Sequence, residues 1–404
     1  MALALDQAGL KTILVDVAAV LDQLEPSFDG RASAIAYSAL RQWRALGLAE
    51  ALEGVAQPIR RIVVTDGHAP GPGGGAAVTG RMCIQASDIE DAHRDEPLGW
   101  MLENRHIRMA LDAALTRSNV TCLRPASIAA VQFETNRIEA RLEDGRRVTA
   151  RLAIGSEGRK SPLRVAAGLG ANGWSYGQTG VVATVQLDRP HDGTAWQHFM
   201  PSGPLAILPL TQDRASLVWT ERTSRAEALV TISDAAFESL LRRRFGDDIG
   251  QPSLIGARFA YPLSLQLSHS STAKRLALVG DSAHGVHPIS GQGLNLGLKD
   301  VAALAQVLSD AAKLGEDIGS PLVLDRYARW RRFDTAGSML ASDLFAKSFS
   351  NNNPLMRLAR DAGLDAVNAM APLRRLLARE AGGVTGDAPG LLLGQPLDEA
   401  APPG

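Results

Sequence analysis

The fold is decided by one stretch, Leu276-Ala-Leu-Val-Gly-Asp-Ser-Ala-His-Gly-Val-His-Pro-Ile-Ser-Gly-Gln-Gly-Leu-Asn-Leu-Gly-Leu-Lys-Asp300. Its order predicts a short apolar strand over Leu276 to Val279, a Gly280-Asp281 turn, a loop carrying Pro288, Gly291, Gln292 and Gly293, and a helix beginning near Leu294. A parallel strand that ends in Gly-Asp sets a carboxylate at the carboxyl edge of a sheet, where it accepts hydrogen bonds from the hydroxyls of a sugar-like chain. Glycines at 291 and 293 let the backbone approach a flat or anionic ligand with no Cβ in the way. The helix after them turns its unpaired N–H groups and positive dipole end toward the same place. This is a ligand-binding layout. A plain crossover whose glycines serve only the turn is the weaker reading, because Gly-Asp, His-Pro and Gly-Gln-Gly-Leu-Asn succeed one another within a single strand-loop-helix.

Working outward to the start of the chain, Ala2 to Ala8 reads as a helix with Gly9 as its cap, and Lys11 to Asp16 as a strand ending in an acid. In a dinucleotide-binding unit the carboxylate at that strand end holds the adenosine ribose, and Asp16 fits the place. The helix should be preceded by a first strand and a Gly-x-Gly-x-x-Gly turn that receives the pyrophosphate. Neither is in the sequence, which is read as a start assigned too far downstream or as a variant with weakened cofactor binding.

From Val286 to Asp300 the sequence resembles the second FAD-binding motif of the single-component flavin aromatic hydroxylases, the para-hydroxybenzoate hydroxylase fold, in its ubiquinone-biosynthesis branch. The resemblance implies that Asp281, beside Gly280, binds the ribityl region of FAD. It also implies that Pro288, Gly291, Gln292, Gly293, Leu294 and Asn295 lie along the isoalloxazine. Phe28 to Ala36 is similar to the family's Asp-x-Arg segment, placing Arg31 toward the FAD diphosphate, where a guanidinium fork suits phosphate oxygens. Asn104, after the strand-like Leu98 to Glu103, is expected both to cap a helix over Arg105 to Arg117 and to contact FAD. Ile154 to Arg164 is similar to the Asp-Gly motif linked to nicotinamide nucleotide use, with Glu157 where aspartate is usual and with Ser161 and Arg164 matching.

The resemblance implies an α/β fold. A Rossmann-like FAD-binding lobe (1–57, 96–168 and 268–345) is interleaved with a β-sheet substrate lobe (58–95 and 169–267), and C-terminal helices and tail occupy 346–404. The implied activity is hydroxylation of the aromatic ring of a polyprenylated phenol, with FAD as cofactor, NAD(P)H as reductant and O2 as co-substrate. The flavin carries the chemistry, and no side-chain base is identified. Hydroxylation of a soluble aromatic compound, or a non-catalytic role as a quinone-precursor-binding or scaffold subunit, are the alternatives.

The remaining chain sets limits. At 404 residues and a net charge of −1, it is long enough for two lobes and offers no electrostatic footprint for nucleic acid. Cys83 and Cys122 have neither metal nor redox spacing. No secretory leader is recognisable and no apolar run approaches the roughly 20 residues that span a bilayer, so the expected location is cytoplasmic, with peripheral contact to the inner membrane or to ubiquinone-biosynthesis proteins as the alternative. Strands are predicted over Gly180 to Leu187, Ala195 to Met200, Leu205 to Leu210 and Ala215 to Glu221, with one helix over Ser233 to Phe245. Trp196, Phe199, Trp219, Phe259 and Tyr261 are candidate pocket aromatics, each equally suited to ordinary core. Ser33 to Leu48 reads as helix. From Arg326 to Arg379 ten Lys/Arg stand against four Asp/Glu, beside apolar residues at helical spacing. Such a segment either lies on an anionic surface or partner, or packs as a terminal helix pair on the cofactor lobe. The chain after Gly382 reads as loose tail.

Overall fold

The strand Leu276–Leu278 lies parallel to Ala153–Gly155 and is fully buried, as an apolar strand covered on both faces must be. These elements come from a computed structural model that describes residues 1–20, 31–67, 78–88, 96–245, 249–285, 293–332, 335, 337, 354–383 and 386–398. The decisive stretch continues into the helix Gly293–Lys313, whose apolar side (Leu304, Val307, Leu308, Ala311) packs with Leu5, Ala277, Val279 and Tyr327. A second parallel pair joins Ile13–Val15 to Thr121–Leu123, behind the helix Ala2–Gln7. The meander Ile128–Phe133, Ile138–Leu142 and Arg147–Ala150 turns at Gly145, whose φ of +88° suits a residue without Cβ.

An eight-stranded sheet forms the other half of the architecture. Its order is His284–Gly285, Ser253–Ser268, Ala171–Gln186, Arg214–Arg222, Gly203–Pro209, Thr194–Met200, Arg61–Gly67 and Val78–Gln85. All four predicted strands lie in it, and the one parallel pairing joins Thr194–Met200 to Arg61–Gly67. Alternation gives the sheet two faces. Trp196, Leu205, Ile207, Leu217 and Trp219 pack against Ala226, Leu229, Phe237, Leu241 and Phe245 of the helices Thr223–Thr231 and Asp234–Phe245. The first of those helices was not expected from the sequence. Gly180, Val182, Gln197, Pro204, Ala206, Val218 and Thr220 line a cavity on the opposite face.

Four expectations are corrected. Within the predicted helix Ser33 to Leu48, Ala32–Ala36 is a strand, antiparallel to Gly99–Glu103, and only Tyr37–Ala45 is helical before Gly47 at φ +71°. Small side chains let this segment lie between other elements, and strand pairing overrides the helix preference of alanine. The helix near Arg105 begins at Asn104 itself with Glu103 at the cap position, so the Asn104 side chain is not the cap. The terminal helices Pro354–Ala369 and Ala371–Gly382 pack mainly on the eight-stranded sheet rather than on the cofactor lobe: Leu364, Val367, Leu377 and Ala378 cover Met82, Ile84 and Phe199. The cause is an open edge. Val78–Gln85 ends the sheet, and the outward amides of Arg81 and Cys83 donate to Asp365 Oδ1 (3.4 Å) and Asn368 Oδ1 (3.1 Å). Finally, the tail is not loose throughout: Leu391, Leu392 and Leu397 are buried against Ala4, Val301, Ala302 and Ala305, and the Leu397 amide donates to Gln7 Oε1 at 3.2 Å. The apolar run Leu391 to Leu393 outweighs the glycine and proline around it.

Candidate functional site

Between the Gly280-Asp281 turn, the strand Ala32–Ala36, the starts of the helices at Asn104 and Gly293, and the open sheet face lies a cavity of about 710 Å³. Its geometry begins at two glycines. Gly280 has φ +59°, and a Cβ on Gly297 would stand 3.2 Å from the Gly280 Cα, so turn and helix touch backbone to backbone. That contact brings the first turn of the long helix beside Asp281. The Asp281 carboxylate is 45% exposed and pairs with Arg159 Nε at 3.2 Å. Arg159 is itself fixed by the Ser264 hydroxyl (2.6 Å) and carbonyl (3.0 Å).

The Ile154 to Arg164 segment braces the same turn. The Gly158 amide donates to Ser282 Oγ at 3.1 Å, and the buried Arg164 guanidinium donates to the Ser282 carbonyl (3.1 Å) and the Arg159 carbonyl (2.8 Å). Glu157 accepts from the Ser161 hydroxyl (2.8 Å) and the Leu163 amide (3.2 Å), and so holds the start of the helix Pro162–Ala166. Glu157→Ala is expected to lower stability by about 1 kcal/mol, the usual effect of a lost cap, read as a shifted urea midpoint. The FAD content of the same sample tests the cofactor contact that the resemblance implies.

Behind the turn sits a buried ionic cluster. Asp300 Oδ2 accepts from the Gly280 amide (2.9 Å) and His284 Nε2 (2.6 Å), while its Oδ1 accepts from Arg331 Nε (2.7 Å). Burial alone would raise the Asp300 carboxyl, but facing His284 and Arg331 hold it below the ordinary carboxylate range. Tyr327 donates to the Leu278 carbonyl at 2.8 Å, and burial, followed by the nearby Asp300 charge, pushes its phenol well above its usual value. Asn295 is also buried: its Oδ1 accepts from the Ala36 amide and its Nδ2 donates to the Ala34 carbonyl, both at 2.9 Å. It serves the strand Ala32–Ala36 as a neighbouring strand would.

Of the predicted site residues, Arg31, Asn104, Gly280, Asp281, Gly293 and Leu294 line the cavity. Asn104 Oδ1 accepts from the Ser33 hydroxyl at 2.6 Å, and the Arg31 guanidinium lies over the Tyr261 ring at 4.9 Å. Asn295 stands behind the wall. Asp16 directly follows the strand Ile13–Val15, one residue past the strand end expected at it, and accepts from the Ala18 amide at 3.0 Å, but neither it nor Glu157 is among the described residues that line the cavity. Pro288, Gly291 and Gln292 lie outside the described residues. Of the candidate aromatics Tyr261 lines the cavity, whereas Trp196 and Trp219 belong to the core on the other face. The sequence reading passed over Arg159, Gln197, His284, Asp300 and Arg331. Arg159 directly succeeds Gly158, so for it a charged residue next to a motif glycine was the available signal; His284 and Asp300 lie inside the decisive stretch, and Gln197 and Arg331 carried no such signal.

These residues fit a flat cofactor with a polar tail. The volume lies within the range of about 300–1,000 Å³ usual for such pockets. One wall offers a helix start, a carboxylate and guanidinium groups, and the opposite wall is apolar (Val182, Ala206, Leu208, Val218, Leu263).

The chain is similar in sequence and in fold to known proteins. The family model described as FAD binding domain matches residues 1–337. The ubiquinone hydroxylase UbiL of Rhodospirillum rubrum is 40% identical over 401 residues, 98% of this chain and 90% of that protein. The 3-demethoxyubiquinol 3-hydroxylase of Escherichia coli is 32% identical over 378 residues, 93% of each chain. Among solved structures, p-nitrophenol 4-monooxygenase PnpA from Pseudomonas putida superposes with a TM-score of 0.75 at 19% identity, covering 95% of this chain and 94% of that one.

Proposed function

This chain belongs to the FAD-dependent monooxygenases built on that FAD binding domain, and from this premise we propose that it hydroxylates the ring of a polyprenylated phenol on the route to ubiquinone, with NAD(P)H as reductant and O2 as co-substrate. The observation that carries the proposal is the two-walled cavity. Asp281, Arg31 and Asn104 stand on the cofactor side, and a patch of small apolar side chains (Val182, Ala206, Val218) stands opposite, with Gln197, Thr220 and Tyr261 as its polar groups. Bound there, FAD supplies the activation of O2 that no side chain provides.

The chain contributes holding, orientation and exclusion of water. Asp281 would accept hydroxyl hydrogens of the cofactor's sugar-like chain and Arg31 would pair with its diphosphate, a reading supported by both residues lining the cavity. The start of the helix Gly293–Lys313 favours negative charge next to the turn. The apolar sheet face keeps the opposite side dry and leaves room for an aromatic ring.

The test is a pair of measurements on the purified chain. A flavin absorbance spectrum with releasable FAD is expected, then NAD(P)H- and O2-dependent formation of a hydroxylated product from a short-chain polyprenylphenol, with simple hydroxybenzoates turned over at least about tenfold more slowly. Equal or better turnover of the hydroxybenzoates would remove the lipid-linked substrate from the proposal.

A further inference from the structure

Arg159 is held from both ends. Its backbone carbonyl accepts from Gln266 Nε2 (2.7 Å) and from Arg164 Nη2 (2.8 Å). Its guanidinium reaches the other way, donating through Nη1 to the hydroxyl and carbonyl of Ser264 and through Nε to Asp281 Oδ2. Ser264 and Gln266 lie on the strand Ser253–Ser268 of the large sheet, whereas Asp281 follows the parallel strand Leu276–Leu278. One side chain therefore ties together two walls of the cavity that it lines.

The surface beneath that side chain is fitted to it. A Cβ on Gly285 would stand 2.6 Å from Arg159 Nε, so the guanidinium lies against bare backbone. Gly285 pairs with Gln266, the residue that bonds the Arg159 carbonyl, and the same pair of strands thus fixes the arginine at main chain and at side chain. The ion pair is directional. Nε engages one oxygen of Asp281, which is 45% exposed, and a single such bond takes up only part of a carboxylate's capacity of about four. Charge gives the arrangement a purpose. FAD carries a diphosphate, which a lone carboxylate at the turn would repel; paired with a cation, the same carboxylate takes hydroxyl hydrogens without adding net negative charge.

We propose that Arg159 is a positioning residue for FAD binding: it orients the Asp281 carboxylate, cancels its charge against the incoming diphosphate, and locks the turn to the large sheet through Ser264. The proposal rests on Asp281 accepting from the cofactor's hydroxyls, and it adds the residue through which that contact is set.

The test is titration of the full-length apoprotein with FAD, read by flavin fluorescence. Arg159→Met is expected to raise the Kd about three- to tenfold, the range for a partner in direct contact with a binding group. Arg159→Lys restores the charge without the forked contact and should recover part of that loss. Gly285→Ala keeps the arginine but displaces its guanidinium, and should raise the Kd in the same direction. In an Asp281→Ala background, Arg159→Met should add less than about twofold, because its action runs through the carboxylate. An equal effect in both backgrounds overturns the proposal, and so does an unchanged Kd beside a lowered melting temperature, which would make Arg159 a structural tie only. Should Arg159→Met not fold, Arg159→Lys in the two backgrounds carries the same comparison. Asp281→Ala that binds FAD like wild type would sink the reading of Asp281 and the proposal with it. A weakened Asp281→Ala beside an unaffected Arg159→Met would sink the proposal alone.

Discussion

Asp300→Ala is expected to cost the fold about 3–5 kcal/mol, the usual result of removing one member of a buried ion pair and leaving the other uncompensated. Asp300, Arg331 and His284 are 1%, 5% and 4% exposed, so water cannot replace the lost carboxylate. Three separate segments lose their common acceptor at once: the turn at Gly280, the strand at His284 and the helix over 321–332. Asp300→Asn keeps an acceptor for the Gly280 amide but no charge for Arg331, and should fall between wild type and the alanine variant. Urea melts monitored by tryptophan fluorescence would show it; an alanine variant with an unchanged midpoint would mean that the cluster contributes nothing. The pH dependence has a defined sign. The folded-state carboxyl is held down, so its stabilisation is fully present above the unfolded value of about 3.9 and is lost as pH falls through the lower folded value. In Asp300→Asn that part of the acid dependence should disappear.

Asp281→Ala should do the opposite: leave the fold alone and release the cofactor. Its contact with Arg159 joins two partly exposed groups and is worth less than about 1 kcal/mol, and Arg159 keeps its bonds to Ser264. Hydrogen bonds from ligand hydroxyls to a carboxylate are worth about 1.5–3 kcal/mol, which corresponds to a Kd for FAD raised roughly 10- to 150-fold. The expected result is a nearly colourless purified variant whose apoprotein melts like the wild-type apoprotein. Titration of both apoproteins with FAD, read by flavin fluorescence, gives the ratio directly. Full FAD content in the variant would take Asp281 out of the site.

The chain disclosed in advance whatever is local. The strand Leu276–Leu278, the turn after it and the helix from Gly293 are written in consecutive residues, so Asp281 and Gly293 were placed before any geometry was known. The alternating strands of the large sheet were legible for the same reason. Ala32–Ala36 was not. Its strand character comes from Gly99–Glu103 on one side and Asn295 on the other, neither of which a window of sixteen alanine-rich residues reveals. The role of Asp300 was hidden likewise, because Arg331 approaches from another helix and only packing brings the two together. The terminal helices were visible as helices, but the unpaired sheet edge that draws them to Arg81 and Cys83 is a property of topology.

The Asn295 clamp has a consequence for biosynthesis. Ala36 and Asn295 are separated by 259 positions in the chain. At about 5–20 residues per second, a ribosome that has finished the strand Ala32–Ala36 needs roughly 10 to 50 s more before Asn295 is made, and longer before it leaves the exit tunnel. Throughout that interval the nascent strand carries a backbone amide and a carbonyl with no partner from the long helix. Cofactor capture is therefore expected to be a late event in the life of each molecule, coming after translation of the helix, and a polypeptide arrested before residue 293 lacks the wall on which FAD is expected to rest.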